Sequence, residues 1–507
     1  MRRLIAALVA VLLLAGGCIA PRARWASPTS GHLGPPSASA SATSLHWTPC
    51  PDAWKGTFDT APKNITYDCA TLKVPQDWAH PVDGKTFDIA IVRGRNAGQR
   101  DKIGSLLINP GGPGGSGWDY GVYRAAMLPA EVTRRFDIIG FDPRGVGRST
   151  PVHCFSTADL DTSFGADPDP VTNEQFATAV ATAKHEADAC GAAYGDTLKY
   201  FSTEQTARDM DAIRAALGDK QMTYLGYSYG TLLGAVYAEL FPKNVRALVL
   251  DGAVDPTQSS EASAESQAKG FERAFDNFAT WCKANASVCP IAPDARAAVV
   301  AAIQQGRTAP VKDKAGRVAT SGWVFTAVAA ALYSKSAWPA LGIAINQLAG
   351  GRTDTLFALA DSYADRDANG HYSNLFDANA TIDCADDPHP PTVAHVRDLQ
   401  TAWRAKYPLF GASMALNLIC AQWPGGHDPY PIGPATGSAP ILVVGTTGDP
   451  ATPYEQTAAL AKMLGVATVL THQGEGHTAY PQTNCVTDAV NRYLIDLKVP
   501  PAGTICN

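Results

Sequence analysis

The chain has 507 residues, and 46% of them are hydrophobic, which is enough for a core larger than that of one ordinary domain. Its net charge is −6, only 17% of its residues are charged, and its lysines and arginines are scattered along the chain. This composition argues against nucleic acid as a partner.

The N-terminus has the features of an export signal. Met1-Arg2-Arg3 precedes an apolar stretch that is too short to span a bilayer and ends in Leu14-Ala15-Gly16-Gly17-Cys18. That ending resembles a bacterial lipobox, although Ala15 stands where leucine is usual. We predict a signal peptide over residues 1–18, a lipid on Cys18 that anchors the protein to the membrane, and a disordered tether over 19–46. The alternative is a secreted protein that is cleaved further downstream.

The cysteines point to the same compartment. Of eleven cysteines, one is Cys18, and the remaining ten are an even number, as expected of a disulfide-bonded exported protein. None shows metal-ligand spacing with histidine, so we expect neither a metal nor another cofactor. Neighbouring spacing predicts five disulfides: Cys50–Cys69, Cys154–Cys190, Cys282–Cys289, Cys384–Cys420 and Cys485–Cys506.

Short β-rich runs alternate with helical stretches on either side of a long interruption. The alternation predicts an α/β fold with a mostly parallel sheet and helices on both faces. Residues 256–436 are alanine-rich and helical in character, and strand patterns resume after them. We therefore predict a core in two parts, 47–255 and 437–507, with a helical cap inserted over the carboxyl ends of the strands.

The most informative motif is Gly226-Tyr227-Ser228-Tyr229-Gly230. It joins an apolar strand to a helix, and glycines on both sides let the chain make the sharp turn of a nucleophile elbow. We predict Ser228 as the nucleophile and the Tyr229 N–H as one donor to the oxyanion.

A catalytic serine needs a histidine base that is oriented by an acid. Asp449 follows the penultimate strand and is the predicted acid, whereas Asp255 and Asp386 are rivals that do not follow that strand. Thr452 either bonds the aspartate or only stabilises its turn.

The predicted base is His477, which follows the last strand on a loop. Its rival His472 lies nearer the strand end and would point along the sheet. Gly476 gives the His477 loop the freedom to bring an imidazole back over the serine.

The glycine-rich segment 109–117 should supply the second oxyanion donor. Gly112 is the predicted donor and Gly111 the alternative. A phosphate-binding loop is the rival interpretation, but the segment lacks the Gly-Lys-Ser or Gly-Lys-Thr ending of such loops.

Five motifs, which follow one another in the order seen in known hydrolases, together resemble a specific family. The glycine loop is similar to that of the proline iminopeptidase-like branch of α/β-hydrolases. The whole set resembles the actinomycete tripeptidyl aminopeptidases and the mycobacterial cell-envelope serine hydrolases and proteases, which include carboxylesterase A-like proteins. Pro110 replaces the histidine of the iminopeptidases, which argues against release of single prolines. The other motifs are residues 141–149, 225–231, 251–256 and 449–454.

This resemblance implies hydrolysis of a peptide or protein near its free N-terminus, or of small esters, through an acyl-enzyme. An aminopeptidase needs an anion to bind the substrate ammonium. Glu204 and Asp386 are the main candidates, and Asp251 and Asp387 are further ones; each is otherwise an ordinary surface or cap carboxylate. The alternatives are a carboxylesterase or lipase and, from another class, a non-catalytic envelope protein that binds peptides.

Overall fold

The computed structural model describes residues 45–507. The predicted signal peptide, Cys18 and almost all of the predicted tether lie outside these residues. Among residues 45–507, none of the helices combines the length and the apolar character that crossing a bilayer requires.

The strands form one large sheet and one small hairpin. The order in the large sheet is β1-β2-β3-β5-β4-β6-β7-β10-β11-β12, while β8 pairs with β9. The strands are β1 Thr48–Pro49, β2 Ile65–Pro75, β3 Thr86–Asn96, β4 Gly104–Asn109, β5 Phe136–Phe141, β6 Met222–Tyr227, β7 Val245–Asp251, β8 Val311–Lys312, β9 Val318–Ala319, β10 Ile441–Gly448, β11 Ala467–Glu475 and β12 Thr504–Cys506.

Helices connect and cover the strands. They are α1 Gly117–Met127, α2 Ala130–Thr133, α3 Thr157–Gly165, α4 Asn173–Tyr194, α5 Thr203–Ala216, α6 Tyr229–Leu240, α7 Ser260–Ala284, α8 Ala295–Thr308, α9 Ser321–Leu332, α10 Trp338–Ala349, α11 Asp354–Ala364, α12 Leu375–Asp386, α13 Val393–Lys406, α14 Gly411–Met414, α15 Glu455–Leu464 and α16 Asn484–Asp496.

The sheet is mostly parallel. Strands β1 to β3 pair antiparallel with their neighbours, and every pairing from β5 through β4, β6, β7, β10 and β11 to β12 is parallel. Every residue of β5 and β6 is buried, as expected of central strands that are covered on both faces. One face packs on α5, α6 and α15, and the other packs on α1, α2 and α16. The predicted fold class is confirmed.

A second helical layer has its own core. Helices α7 to α14 lie between β7 and β10, and the buried apolar side chains of all of them except α12 contribute to a separate cluster around Phe271, Val328 and Leu356. Leu160 and Phe164 of α3 belong to the same cluster, although α3 precedes the nucleophile elbow in the sequence. The layer beside the sheet is therefore built from two segments of the chain.

All five predicted disulfides are formed. Each joins cysteines that are 7 to 36 residues apart. Cys384–Cys420 and Cys154–Cys190 lie in the second helical layer and at its border with the sheet domain, and Cys485–Cys506 ties the C-terminal strand to α16. The spacing argument is thus confirmed.

Candidate active site

Ser228 stands at the turn between β6 and α6. Its backbone has φ 55° and ψ −126°, a conformation that non-glycine residues rarely adopt and that matches a nucleophile elbow. The flanking glycines are required by space: a Cβ on Gly226 would lie 2.3 Å from the Gly230 carbonyl oxygen, and one on Gly230 would lie 2.9 Å from Asn109 Oδ1. The turn raises Ser228 at the carboxyl end of the central strand.

Asp449 and His477 lie together beyond the ends of β10 and β11. Nδ1 of His477 is 2.9 Å from both carboxylate oxygens of Asp449. Asp449 is fully buried and also accepts hydrogen bonds from the N–H groups of Ala451, Thr452 and Thr478. Because these donors stabilise the carboxylate, the imidazole proton resides on Nδ1 and leaves Nε2 as the basic nitrogen.

Nε2 of His477 is buried and has no hydrogen-bond partner among residues 45–507. The hydrogen bond between His477 Nε2 and the Ser228 hydroxyl is therefore not formed here. Such catalytic contacts are often longer before substrate binds. The two loops are nevertheless adjacent. A Cβ on Gly252 would lie 3.2 Å from His477 Cε1, and the preceding Asp251 accepts a hydrogen bond from the Ser228 N–H through its carbonyl oxygen.

Thr452 contacts both members of the acid–base pair. Its hydroxyl lies 3.0 Å from Asp449 Oδ2 and 3.3 Å from His477 Nδ1. Of the two interpretations of this threonine, the geometry favours contact with the aspartate.

The glycine loop contacts the elbow directly. A Cβ on Gly111 would lie 2.9 Å from Ser228 Cβ and 3.0 Å from the Tyr229 nitrogen. The Gly111 N–H is already engaged, since it donates to Asn109 Oδ1 at 2.8 Å. The N–H groups of Gly112 and Tyr229 meet no acceptor within residues 45–507. Both therefore remain available to an oxyanion, which favours Gly112 over the alternative Gly111.

The rival residues lie elsewhere. His472 is on β11 opposite Cys506 of β12, and burial lowers the pKa of its imidazole. The carboxylate of Asp255 accepts hydrogen bonds from Thr257, and that of Asp386 from Thr203. None of these three contacts His477.

Asp251, a candidate from the sequence for binding the substrate ammonium, lies in the protein interior. It is fully buried, and its carboxylate accepts the N–H groups of Ala479 and Tyr480 at 2.7 to 3.0 Å. Burial raises the pKa of this carboxyl to about 6. These hydrogen bonds fix the loop that carries His477, and they argue against Asp251 as a site for a substrate ammonium.

Asp386 is connected to the elbow, whereas Glu204 is neutralised locally. Glu204 forms an ion pair with Arg208 at 2.6 Å. Asp386 accepts the Thr203 N–H at 2.8 Å and the Thr203 hydroxyl, and that hydroxyl lies 2.6 Å from the hydroxyl of Tyr229. Burial, and then the neighbouring Asp428 and Asp387, raise the pKa of Asp386 to about 8.

The fourth candidate, Asp387, is engaged locally. Its carboxylate accepts hydrogen bonds from the Ser260 hydroxyl and the His389 N–H. Its neighbour Asp383 was not singled out from the sequence. The Asp383 carboxylate has neither a hydrogen bond nor an ion pair to any residue of the described chain, and burial together with Asp386 and Asp387 raises its pKa.

Sequence reasoning missed Tyr333. Its carbonyl oxygen accepts the His477 N–H at 2.8 Å, and its ring lies perpendicular to the imidazole with 5.3 Å between centroids. It belongs to the second helical layer, and its position in the sequence carries no motif. In the described part of the chain, no group of histidine, cysteine and carboxylate side chains could hold a metal ion.

Comparison with known proteins gives the family. Residues 104–482 match the family model described as alpha/beta hydrolase fold. The chain is 39% identical to the serine protease Hip1 of Mycobacterium tuberculosis (99% of this chain, 96% of that protein) and 38% identical to carboxylesterase B of the same organism (100% and 98%). It is 32% identical to the tripeptidyl aminopeptidase of Streptomyces lividans (99% and 95%). The chain belongs to the α/β-hydrolase family.

Proposed function

We propose that the protein is a serine hydrolase that cleaves peptides near their free N-terminus. The observation that carries this proposal is the Asp449–His477 pair, whose unpartnered Nε2 lies beside the loop that fixes Ser228. The identity to a serine protease and to a tripeptidyl aminopeptidase over nearly the whole chain supports the same class.

The geometry suits acyl transfer. Ser228 Oγ attacks the substrate carbonyl while its proton passes to His477 Nε2, and the Gly112 and Tyr229 N–H groups stabilise the oxyanion. When the C–N bond breaks, His477 returns the proton to the leaving amine, and the acyl-enzyme remains. Water then attacks the ester and gives a proton to His477, which restores it to Ser228 Oγ as the acid product leaves.

Carboxylates near the elbow support a free substrate N-terminus. Asp383 and Asp386 both act electrostatically on Tyr229, which follows the nucleophile. The carboxylate of Asp383 has no partner in the described chain, and Asp386 has only the neutral Thr203. A substrate ammonium would compensate this charge, whereas Glu204 already has Arg208 as its cation.

A carboxylesterase is the second candidate. Carboxylesterase B is as similar to this chain as the protease, and one triad can cleave both amides and esters. The side chains around the scissile bond decide between them.

Export is part of the proposal. Five disulfides support an exported protein, because such bonds persist in oxidising compartments. We further propose attachment to the outer face of the cytoplasmic membrane through a lipid on Cys18. Cys18→Ala should move the protein from the membrane fraction to the medium, and retention in the membrane fraction would contradict the lipid anchor.

A fluorophosphonate probe tests the triad. Ser228→Ala and His477→Gln should each abolish labelling of a folded protein, while His472→Gln, a matched control on the preceding strand, should label normally. Undiminished labelling of Ser228→Ala would refute the assignment. Absence of labelling in the unmodified protein would favour the non-catalytic binding protein.

Peptide amides with free and acetylated N-termini, together with short and long acyl esters, separate the enzyme classes. An aminopeptidase loses cleavage on acetylation. Equal cleavage of both peptides would point to an endopeptidase, and cleavage of esters alone to the esterase.

A further inference from the structure

The second helical layer contains a cavity of about 450 Å³ between helices α3 and α4 on one side and α9 and α12 on the other. This volume is in the range of small-molecule binding sites. Its walls are mainly apolar and include Leu160, Phe164, Phe325, Ala329, Phe376 and Ile419. None of the residues assigned above to the acid, base, nucleophile or oxyanion donors lines it.

Two residues that line the cavity, Asn379 and Tyr363, nevertheless connect it to the active site. Asn379, on its α12 wall, donates a hydrogen bond to the carbonyl oxygen of Pro113 in the glycine loop at 3.2 Å. α12 also packs so closely on this loop that a Cβ on Gly114 would lie 2.3 Å from the Leu375 carbonyl oxygen. The α12 wall of the cavity is thus seated on the loop that supplies an oxyanion donor.

The second connection runs through two tyrosines. Tyr363 lines the cavity, and its ring centroid lies 6.0 Å from that of Tyr333. Tyr333 in turn contacts the imidazole of His477. One aromatic ring therefore separates Tyr363 from the predicted base.

The Tyr363 hydroxyl has an unmet hydrogen bond. The residue is 2% exposed, and the hydroxyl has no partner among residues 45–507. A buried hydroxyl without a partner is unfavourable and calls for an explanation. A ligand atom in the cavity that accepts a hydrogen bond would supply the partner.

Resting on the proposed hydrolase function, we propose that the cavity binds a large apolar side chain of the acyl part of a peptide substrate, and that Tyr363 donates a hydrogen bond to a backbone carbonyl beside it. A peptide carries a carbonyl next to every side chain. The acyl chain of a simple ester has only one polar group, its scissile carbonyl, and the oxyanion donors bind that carbonyl. Such an ester would therefore leave the Tyr363 hydroxyl without a partner.

Glu186, the ionisable residue on the α4 wall, is compatible with an apolar occupant. The carboxyl of Glu186 is bonded to the Ser163 hydroxyl, and burial raises its pKa to about 7. Near neutral pH much of this carboxyl is therefore uncharged. Its protonated form places little charge against an apolar side chain.

Filling the cavity tests the proposal. Ala329→Phe should lower kcat/KM at least tenfold for peptides with leucine or phenylalanine in the acyl part, and less than twofold for their glycine and alanine counterparts. Ala179→Phe, on the α4 wall, repeats the test if the first variant does not fold. Ala181→Phe is the matched control, because residue 181 is exposed on the same helix, and it should change neither value.

Tyr363→Phe removes only the hydroxyl. It should raise KM for the large-side-chain peptides about threefold or more and leave hydrolysis of a short acetyl ester unchanged. In the filled variants, equal losses for peptides with large and small side chains would overturn the proposal, and so would an unchanged KM for peptides in Tyr363→Phe or a loss confined to long-chain esters. Fluorophosphonate labelling of Ser228 is the separate readout: if labelling persists, only the cavity assignment has failed, and if the unmodified protein is not labelled, the hydrolase function itself has failed.

Discussion

The carbonyl oxygen of Asp251 accepts a hydrogen bond from the N–H of Ser228 at 2.9 Å. The carboxylate of the same residue accepts the N–H groups of Ala479 and Tyr480, which follow His477. One buried residue at the end of β7 therefore holds both the turn that carries the nucleophile and the loop that carries the base.

Asp251→Asn should weaken the connection between the Ser228 turn and the His477 loop. The amide has one acceptor oxygen, and its NH₂ group would face an N–H donor of the histidine loop. Loss of a hydrogen bond to a charged acceptor costs about 1.5–3 kcal/mol, which corresponds to a drop in kcat of about 10- to 100-fold if it falls on the transition state. Steady-state kinetics on a small ester measure this drop in kcat. Circular dichroism serves as the folding control, and unchanged kcat in a folded variant would contradict the role.

Thr452→Val should weaken the orientation of the acid–base pair without touching the substrate. The threonine hydroxyl contacts Asp449 and His477, so we expect kcat to fall about tenfold at constant KM, as for loss of a hydrogen bond worth about 1.4 kcal/mol. Thr452→Ser retains the hydroxyl and should restore most of the rate. If Thr452→Ser were as slow as Thr452→Val, packing of the methyl group would be the cause.

The sequence allowed prediction of those features whose signals are local. The alternation of short strand-like runs with helical stretches predicted the parallel sheet, and glycines around Ser228 predicted the elbow because the turn leaves no room for a Cβ. Asp449 and His477 could be placed because parallel strands end at one edge of a sheet, which brings distant loops together.

Contacts that depend on tertiary packing could not be predicted from the sequence. Tyr333, which follows α9, meets His477 only because the second helical layer folds back onto the sheet, and no periodicity in α9 indicates this. The role of Asp251 could not be decided from the sequence for a related reason: a carboxylate at a strand end suits a ligand or a neighbouring loop equally well. Only the N–H groups of Ala479 and Tyr480 decide which one it binds.

Asp386 predicts a pH dependence of substrate binding. Its pKa is raised to about 8, so in the free protein the carboxyl is mostly protonated at pH 6. An ammonium binds the ionised form, so KM for a peptide with a free N-terminus should fall as pH rises from 6 towards 8. It should rise again above about pH 8, where the α-amino group itself loses its proton.

The control for this dependence is a neutral ester, which lacks an ammonium and should show no such minimum in KM. Asp386→Asn should abolish the fall of KM between pH 6 and 8. Glu204→Gln should retain it, because Glu204 is already paired with Arg208. A minimum that persists in Asp386→Asn would assign the ammonium site to another carboxylate, with the unpartnered Asp383 as the next to be tested.

Arg144 follows β5 and holds the turn there through buried contacts whose contribution to stability can be measured. Its side chain is fully buried and forms a two-point ion pair with Asp209 at 2.6 and 2.7 Å, and it also donates to the carbonyl oxygens of Pro75, Gln76 and Tyr200. Arg144→Leu leaves Asp209 charged and unpaired in the interior. We expect the free energy of unfolding to fall by about 3–5 kcal/mol. Urea denaturation with the disulfides intact measures this loss.

Two further variants identify the cause of the stability loss in Arg144→Leu. Replacing both partners, Arg144→Leu with Asp209→Leu, should recover part of the loss, because no unpaired charge remains buried. Lys184→Leu breaks an exposed pair with Asp188 and should cost less than about 1 kcal/mol. If Arg144→Leu were as mild as Lys184→Leu, the buried pair would not stabilise the turn after β5, and the carbonyl groups around it would have to find other donors at no cost.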